Sequence, residues 1–519
     1  MLMTLASGLW ATSVDGQGIT GRVVVQGDVP VPGAFVTFRN PTVGVSFTAY
    51  SDAEGHYTLE GVPQGTYEAT ARLAQLGRTV LSMVAYDGGD ASQDFLLGNE
   101  GDRYGSSSTF LNMIPDTEEK RRFIIDCTGC HVLNQEIAFP GGQVRTIREW
   151  DEAMTRMVRE YGSSAPLPRI SEHRNPDRHS VWIASSLMGY PDHAPPPTHT
   201  LSNLSGVTLT EYDLPETEDL PHDLMVDPRG TVVITGMRTG VMYVLTPESG
   251  TFRQVSIPVR RANPRALHIG TDGLWWVLLG DPAILASYDP RLRSWATFPV
   301  GAYPHSLHMD SDGGAWFNGG FTVNPEIIGR LDTETREVQR YEVPPPPGVG
   351  AEESTLPHGL RVGEDGTVWG TELRGNRLIR VSPETGQVDT WEMPQAHSGP
   401  RKLDIGPDGS VWIPESAGGR LVRFDPDQES FTAYDLPLRD ALPYVVRIDR
   451  TRGTVWIGTG AADAVLAFEP STRRFTVYPL PTPGALIRDL DVVEATGDVW
   501  ASYSASPGIP PKILRIRRH

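Results

Sequence analysis

A phrase of about forty residues recurs through the second half of the chain, and no other feature limits the fold so tightly. "LPHDLMVDPRGTVVITGMRTGVMYVLTPESGTFRQVSIP", "LPHGLRVGEDGTVWGTELRGNRLIRVSPETGQVDTWEMP" and "GPRKLDIGPDGSVWIPESAGGRLVRFDPDQESFTAYDLP" are three copies. A proline opens each unit at 221, 264, 304, 357, 400 and 443, at spacings of 43, 40, 53, 43 and 43 residues. Each copy reads as four short strands punctuated by turn residues. One such unit cannot bury its own apolar faces, so copies must stack, and this period with four strands specifies a β-propeller. A degenerate seventh unit begins near "GALIRDLDVVEATGDVWASYS". A lone copy of the last strand, "VTLTEYDLP" at 207–215, precedes the first unit. It is predicted to pair into the seventh blade and close the ring. Trp369, Trp412, Trp456 and Trp500 recur at one phase, which predicts packing between blades.

The chain has 519 residues, including 54 Gly and 44 Pro, a usage that fits many turns and a mainly β bulk. Its net charge of −19 argues against nucleic acid and anionic membrane surfaces, which demand Lys/Arg clusters. It would suit a basic redox partner protein or a cationic substrate. No stretch reaches the length of a transmembrane segment. The opening "MLMTLASGLWATS" (within 1–17) reads as the remnant of a secretion signal, without the basic region such a signal carries. The expected fold class is mainly β. It comprises a transthyretin-like β-sandwich at 18–98, a small α-helical domain at 99–192, a Pro-rich linker at 193–200 and a seven-bladed β-propeller at 201–519.

In the sandwich segment, strand-like alternation runs through "ITGRVVVQG", "GAFVTFRN" and "SDAEGHYTLEGVPQGTYEATA". The last string resembles the carboxypeptidase regulatory-like family. The resemblance implies an accessory domain and carries no catalytic residue. The phrase "PHGL…GEDGTVWGTE…NRLIRV…WEMP" resembles the virginiamycin B lyase (streptogramin lyase) family of seven-bladed propellers. That likeness implies ring opening of a cyclic depsipeptide by elimination, with Mg²⁺, acidic residues and a His near the propeller axis. His305 and His358 match the Pro-His part of its motif. Glu372 and Glu415 match its acidic position.

Between these parts lies "CTGCH" at 127–131, holding the only two cysteines of the chain. Two thiols three apart, followed by a histidine, point to two thioether bonds to haem c, with His131 as the proximal iron ligand. A redox disulfide, a zinc site and a chance pair of cysteines are the competing readings, although zinc would need more ligands. "DTEEKRRFIIDCTGCHVL" is predicted to be a helix capped by Asp116. "TIREWDEAMTRMVREYG" and "RHSVWIASSLMGY" are predicted to be two more, and the three around the motif resemble a cytochrome c domain. Trp150, Met154 and Met157 share one helical face. Met157 is the preferred distal ligand, ahead of Met154, Met188, His173 and His179.

In a four-stranded blade the turn before strand one and the turn between strands two and three lie at the same end. The first turn carries His222, Arg265, His305, His358, Arg401, Tyr444 and Arg488, and the second carries Asn318, Glu372 and Glu415. These side chains are predicted to converge on one axial mouth. His305, His358, Glu372 and Glu415 are the candidate catalytic groups, with Mg²⁺ as a possible ion. His222, Arg265, Arg401 and Tyr444 are the candidate substrate contacts for a small-molecule or polymer ligand. Three functional classes follow. The first is a periplasmic or secreted mono-haem cytochrome coupling electron transfer to a ligand at the mouth. The second is a metal-assisted lyase, and the third a non-enzymatic binding protein.

Overall fold

A computed structural model describes residues 18–74, 76–98, 106–128, 133, 135–163, 176–188, 204–280, 283–319, 325–350, 354–506 and 508–519. Six four-stranded antiparallel sheets follow one another from Pro221 to Pro479, and a seventh set of three strands spans Leu486 to Arg518. In each blade the innermost strand comes first. Blade 4, for example, runs Pro357–Val362, Val368–Glu372, Arg377–Ser382 and Gln387–Glu392. Its first hairpin turns at "EDG": the Asp365 carboxylate accepts the Thr367 backbone N–H at 3.0 Å, and Gly366 takes the left-handed conformation (φ 79) that a Cβ would oppose. The recurrent tryptophans lie between blades. Trp369 packs with Leu403, Ile413 and Phe424 of blade 5. Trp412 joins the cluster of blade 6, Trp456 that of blade 7, and Trp500 that around Leu224 of blade 1.

The sandwich has nine strands: β1 (Gly18–Val25), β2 (Val29–Pro30), β3 (Phe35–Asn40), β4 (Val45–Tyr50), β5 (His56–Glu60), β6 (Gly65–Leu73), β7 (Gly77–Tyr86), β8 (Ala91–Ser92) and β9 (Phe95–Leu96). β10 (Val207–Asp213) is shared. On one side it pairs antiparallel with Lys512–Arg518 and closes the propeller. On the other it pairs with β4, Leu209 opposite Thr48 and Tyr212 opposite Val45. Blade 7 and the sandwich sheet β4-β3-β6-β7 therefore form one eight-stranded sheet, a continuity that the sequence reading, with the sandwich as a separate unit, did not contain. Tyr50 Oη donates to the Pro479 carbonyl at 2.6 Å, and Arg39 pairs with Asp213 at 2.6 Å.

Among the described residues the helices are α1 (Ser107–Asn112), α2 (Glu118–Cys127), α3 (Gln135–Ala138), α4 (Ile147–Ser163) and α5 (Pro176–Leu187). Thr117, not Asp116, caps α2: its side chain accepts the Lys120 N–H at 3.2 Å, while Asp116 pairs with Arg121 instead. Among the described residues no helix is long and apolar enough to cross a membrane.

Candidate functional site

The helices pack on one end of the propeller. Phe110, Leu111, Ile114, Ile124 and Ile125 share a core with Leu356 and Leu373 of blade 4, Ala417 of blade 5, and Leu442 and Ala461 of blade 6. All five propeller residues flank the starts of first strands or the turns after second strands, so the helical segment sits over the predicted mouth. Leu356 and Leu442 each precede a strand-opening proline and hold φ near +54 and +53. That conformation costs a leucine about 1–3 kcal/mol. It turns both side chains out of their blades into the helical core. Three polar ties accompany the apolar contact. Lys120 Nζ meets Asp440 at 2.8 Å, Arg374 Nη2 donates to Asp126 at 2.7 Å, and His397 lies 3.1 Å from Glu118.

Beneath this roof the mouth residues converge. The rings of His222 and His305 are 5.7 Å apart, those of His305 and His358 4.3 Å, and those of His358 and Tyr444 5.3 Å. Arg401 lies over Tyr444 at 4.5 Å, and its Nη1 is 3.0 Å from His358 Nε2. His305 Nδ1 is 2.9 Å from the His358 carbonyl. Five blades thus contribute to one cluster, every member at most 5% exposed. Burial, followed by neighbouring cationic and imidazole groups, pushes all three histidines well below their ordinary range. They are neutral at physiological pH, able to accept a proton or donate one N–H each. Arg265 stacks on Tyr303 at 5.4 Å and donates to Asn263 at 2.8 Å; Arg488 donates to Ser504 at 3.0 Å.

The carboxylates do not join them. Glu372 is held by Arg377, whose Nη2 donates to Oε1 at 2.8 Å, and by Thr355 at 3.0 Å. Glu415 pairs with Arg420 at 2.7 Å. In both blades the Arg five residues on faces the Glu across the hairpin, and the ion pair closes within the blade. Asn318 bridges blades 3 and 4, accepting the Ser306 N–H at 2.8 Å and donating to the Gly359 carbonyl at 3.3 Å. Among the described residues no group of three or more His, Cys, Asp or Glu side chains could hold a metal ion.

Lys402 was missed by the sequence reading. From blade 5 its ammonium reaches Asp223 of blade 1 and lies 3.4 Å from Asp489 of blade 7. His222 Nδ1 is 2.7 Å from the same Asp223 oxygen. The signal was present in the repeat: the position after each mouth residue is Ala266, Ser306, Gly359 or Val445 in four blades, and charged in the other three.

In the helical segment, Cys127 is the last residue of α2. Cys130, His131 and His173 lie outside the described residues. Met154 is buried in the helical core, Met157 is half-buried at its edge and Met188 is exposed. His179 is buried, its Nε2 2.9 Å from Asp126 and its Nδ1 without a hydrogen-bond partner.

The carboxypeptidase regulatory-like domain profile matches residues 18–98, and that of the virginiamycin B lyase family matches 207–506. The virginiamycin B lyase of Nocardia farcinica (strain IFM 10152) is 29% identical over 184 residues, 35% of this chain and 57% of that protein. The chain thus spans little more than half the length of this curated relative. Two solved structures share the propeller fold at 20% identity. A streptogramin B lyase covers 60% of this chain and 98% of its own, with a TM-score of 0.53. The virginiamycin B lyase of Staphylococcus aureus covers 60% and 99%, with a TM-score of 0.51. With more than half of its residues matched by that one profile, the chain belongs to the virginiamycin B lyase family.

Proposed function

We propose that the propeller mouth binds a small anionic molecule or the anionic end of a polymer, and that the helical segment above it carries one covalent haem c. Ligand binding and electron transfer would then meet at one end of the propeller. The observation that supports this most is the contact between α2, which ends at Cys127, and the blade 4 turn beside the mouth. Arg401 and Arg265 supply positive charge there, and the neutral imidazoles supply directional donors and acceptors. Cys127, Cys130 and His131 would hold the haem, which when bound supplies a reversible one-electron couple. The surroundings of α2 fit such a group. Phe123, Trp150, Met154, Met157 and Trp182 form an apolar wall, and Trp150 Nε1 and His179 Nδ1 are buried in it without hydrogen-bond partners. Covalent haem attachment argues for a periplasmic or secreted protein, served by a separate redox partner.

A lyase is the second reading. Family membership favours it, as do the neutral imidazoles of His305 and His358, which could take a proton in an elimination. Mg²⁺ does not fit the described residues, because Glu372 and Glu415 spend their charge on Arg377 and Arg420. The two readings separate in one experiment. Purified protein is mixed with candidate anionic ligands and with a cyclic depsipeptide, and the haem spectrum and reaction products are followed together. A ligand-dependent change in reduction rate or potential that Arg401→Gln weakens supports the redox reading. Ring-opened product with an unchanged haem spectrum replaces it with the lyase.

A further inference from the structure

Three residues beyond the mouth position, the innermost strands carry a second polar column: His268, His308, Arg361, Asp404, Arg447 and Asp491 in blades 2 to 7. A β-bulge lies within this step, so three residues oppose two on the partner strand, both positions face the axis, and the ring lies about 7 Å farther along it. His268, His308, Arg361, Arg447 and Asp491 are half-buried, whereas the mouth ring is fully buried. Part of each of these side chains therefore meets solvent. The Lys402 bridge to Asp223 and Asp489 crosses between the two rings and separates them.

The two halves of the lower ring differ. On blades 5 to 7 the charges answer one another. Asp404 accepts the Ile448 N–H at 2.9 Å and lies 3.5 Å from Arg361 and from Arg450; Arg447 donates to Asp489 at 2.5 Å; Asp491 accepts the Val226 N–H at 2.7 Å. On blades 2 and 3 no such pairing exists among the described residues. The imidazoles of His268 and His308 meet edge to face at 4.6 Å, and His308 Nδ1 is buried with no hydrogen-bond partner. Burial, with Arg361 and Arg447 next in effect, holds His268 down to about 3, and His308 is likewise depressed. Both rings are neutral, each with one N–H to donate, and both feel the Arg361 and Arg447 guanidiniums.

We propose that His268, His308 and Arg361 form a second binding site, separate from the mouth, for a small oxyanion approaching from their partly exposed side. Arg361, already 3.5 Å from Asp404, supplies a guanidinium donor that an anion would share with that carboxylate, and the orphaned His308 nitrogen supplies a hydrogen bond that the fold leaves unmade. Nothing in this site depends on haem or on a ligand at the mouth.

The test uses full-length protein labelled with ¹⁵N at histidine and titrated with inorganic phosphate near neutral pH, His308→Phe assigning the His308 signal. The ring signals of His268 and His308 should move together to saturation. Arg361→Gln should raise the half-saturating phosphate by about tenfold, the weight of one charge-assisted hydrogen bond. Should Arg361→Gln melt early through loss of its Asp404 contact, Arg361→Lys keeps the charge without the planar fork and should weaken binding by less. Signals that stay still in the wild type overturn the proposal, as does movement of equal affinity in the Arg361 variants.

Discussion

Arg374, in the turn after the second strand of blade 4, donates to Asp126 Oδ1 at 2.7 Å, one residue before Cys127. The other oxygen of Asp126 lies 2.9 Å from His179 Nε2. Burial alone would raise this carboxyl. The hydrogen bond to His179 and the Arg374 guanidinium outweigh that and hold it below its ordinary value. One carboxylate thus joins α2, α5 and the propeller.

Arg374→Ala should loosen the helical segment without unfolding the blades, because it leaves Asp126 partly buried beside His179 alone. A cost of about 1–3 kcal/mol is expected. Circular dichroism melts should show the helical signal lost at a lower temperature than the β signal. One unchanged, common transition would argue that the apolar contact suffices.

Glu372→Ala should destabilise blade 4 by about 3–5 kcal/mol, since Arg377 would stay buried without its counter-charge. Denaturant unfolding measures this. A catalytic group free at the mouth, the role the sequence suggested for Glu372, would leave melting nearly unchanged on removal. Glu415→Ala should cost less, because Arg420 is more exposed and can turn to solvent.

The three mouth histidines are neutral in the fold and titrate at about 6.5 when unfolded. Their stabilising effect is fully present above that value and is lost as pH falls from 6.5 toward their depressed folded values. Each contributes at most about 1.4 kcal/mol per pH unit in that window. Unfolding free energies measured across it should fall with acid, and His358→Gln should flatten the slope.

Much of this was legible in the repeat. The proline phase fixes where each blade starts, and the tryptophans at one phase lie between blades because a period of whole blades brings each to the same neighbour. The mouth was legible in part. Histidines at strand starts point inward by periodicity alone, but the fate of Glu372 depends on an arginine five residues later across a hairpin, an arrangement that strand position does not reveal. The roof could not be read either, since helix amphipathicity states that a face is buried and not what buries it.

Haem attachment through Cys127 and Cys130 should survive denaturing gels as peroxidase stain and vanish when both are changed to Ala. Met157→Ala should abolish the weak near-infrared band of a Met–Fe(III) bond and lower the potential. Met154→Ala should instead cost about 2–5 kcal/mol, as expected for a buried core methionine. An unchanged band in Met157→Ala, with loss in Met154→Ala, would exchange the two roles.

Deleting residues 18–98 should uncover the outer edge of β10 and the apolar faces of Tyr212 and Leu214. An open strand edge pairs with other chains. Light scattering should therefore show concentration-dependent association that the full chain lacks.

The strand shared between sandwich and propeller bears on how the ring can assemble. β10 must wait for its partner at 512–518, about three hundred residues later, and bringing such distant segments together is slow and entropically costly. The sandwich leaves the ribosome first, with the edge of β4 already formed. β10 can dock there as soon as it is made and stay extended in its final register while six blades are synthesised. The sandwich is then a built-in template for closure, holding one end of the circle in place until the other arrives.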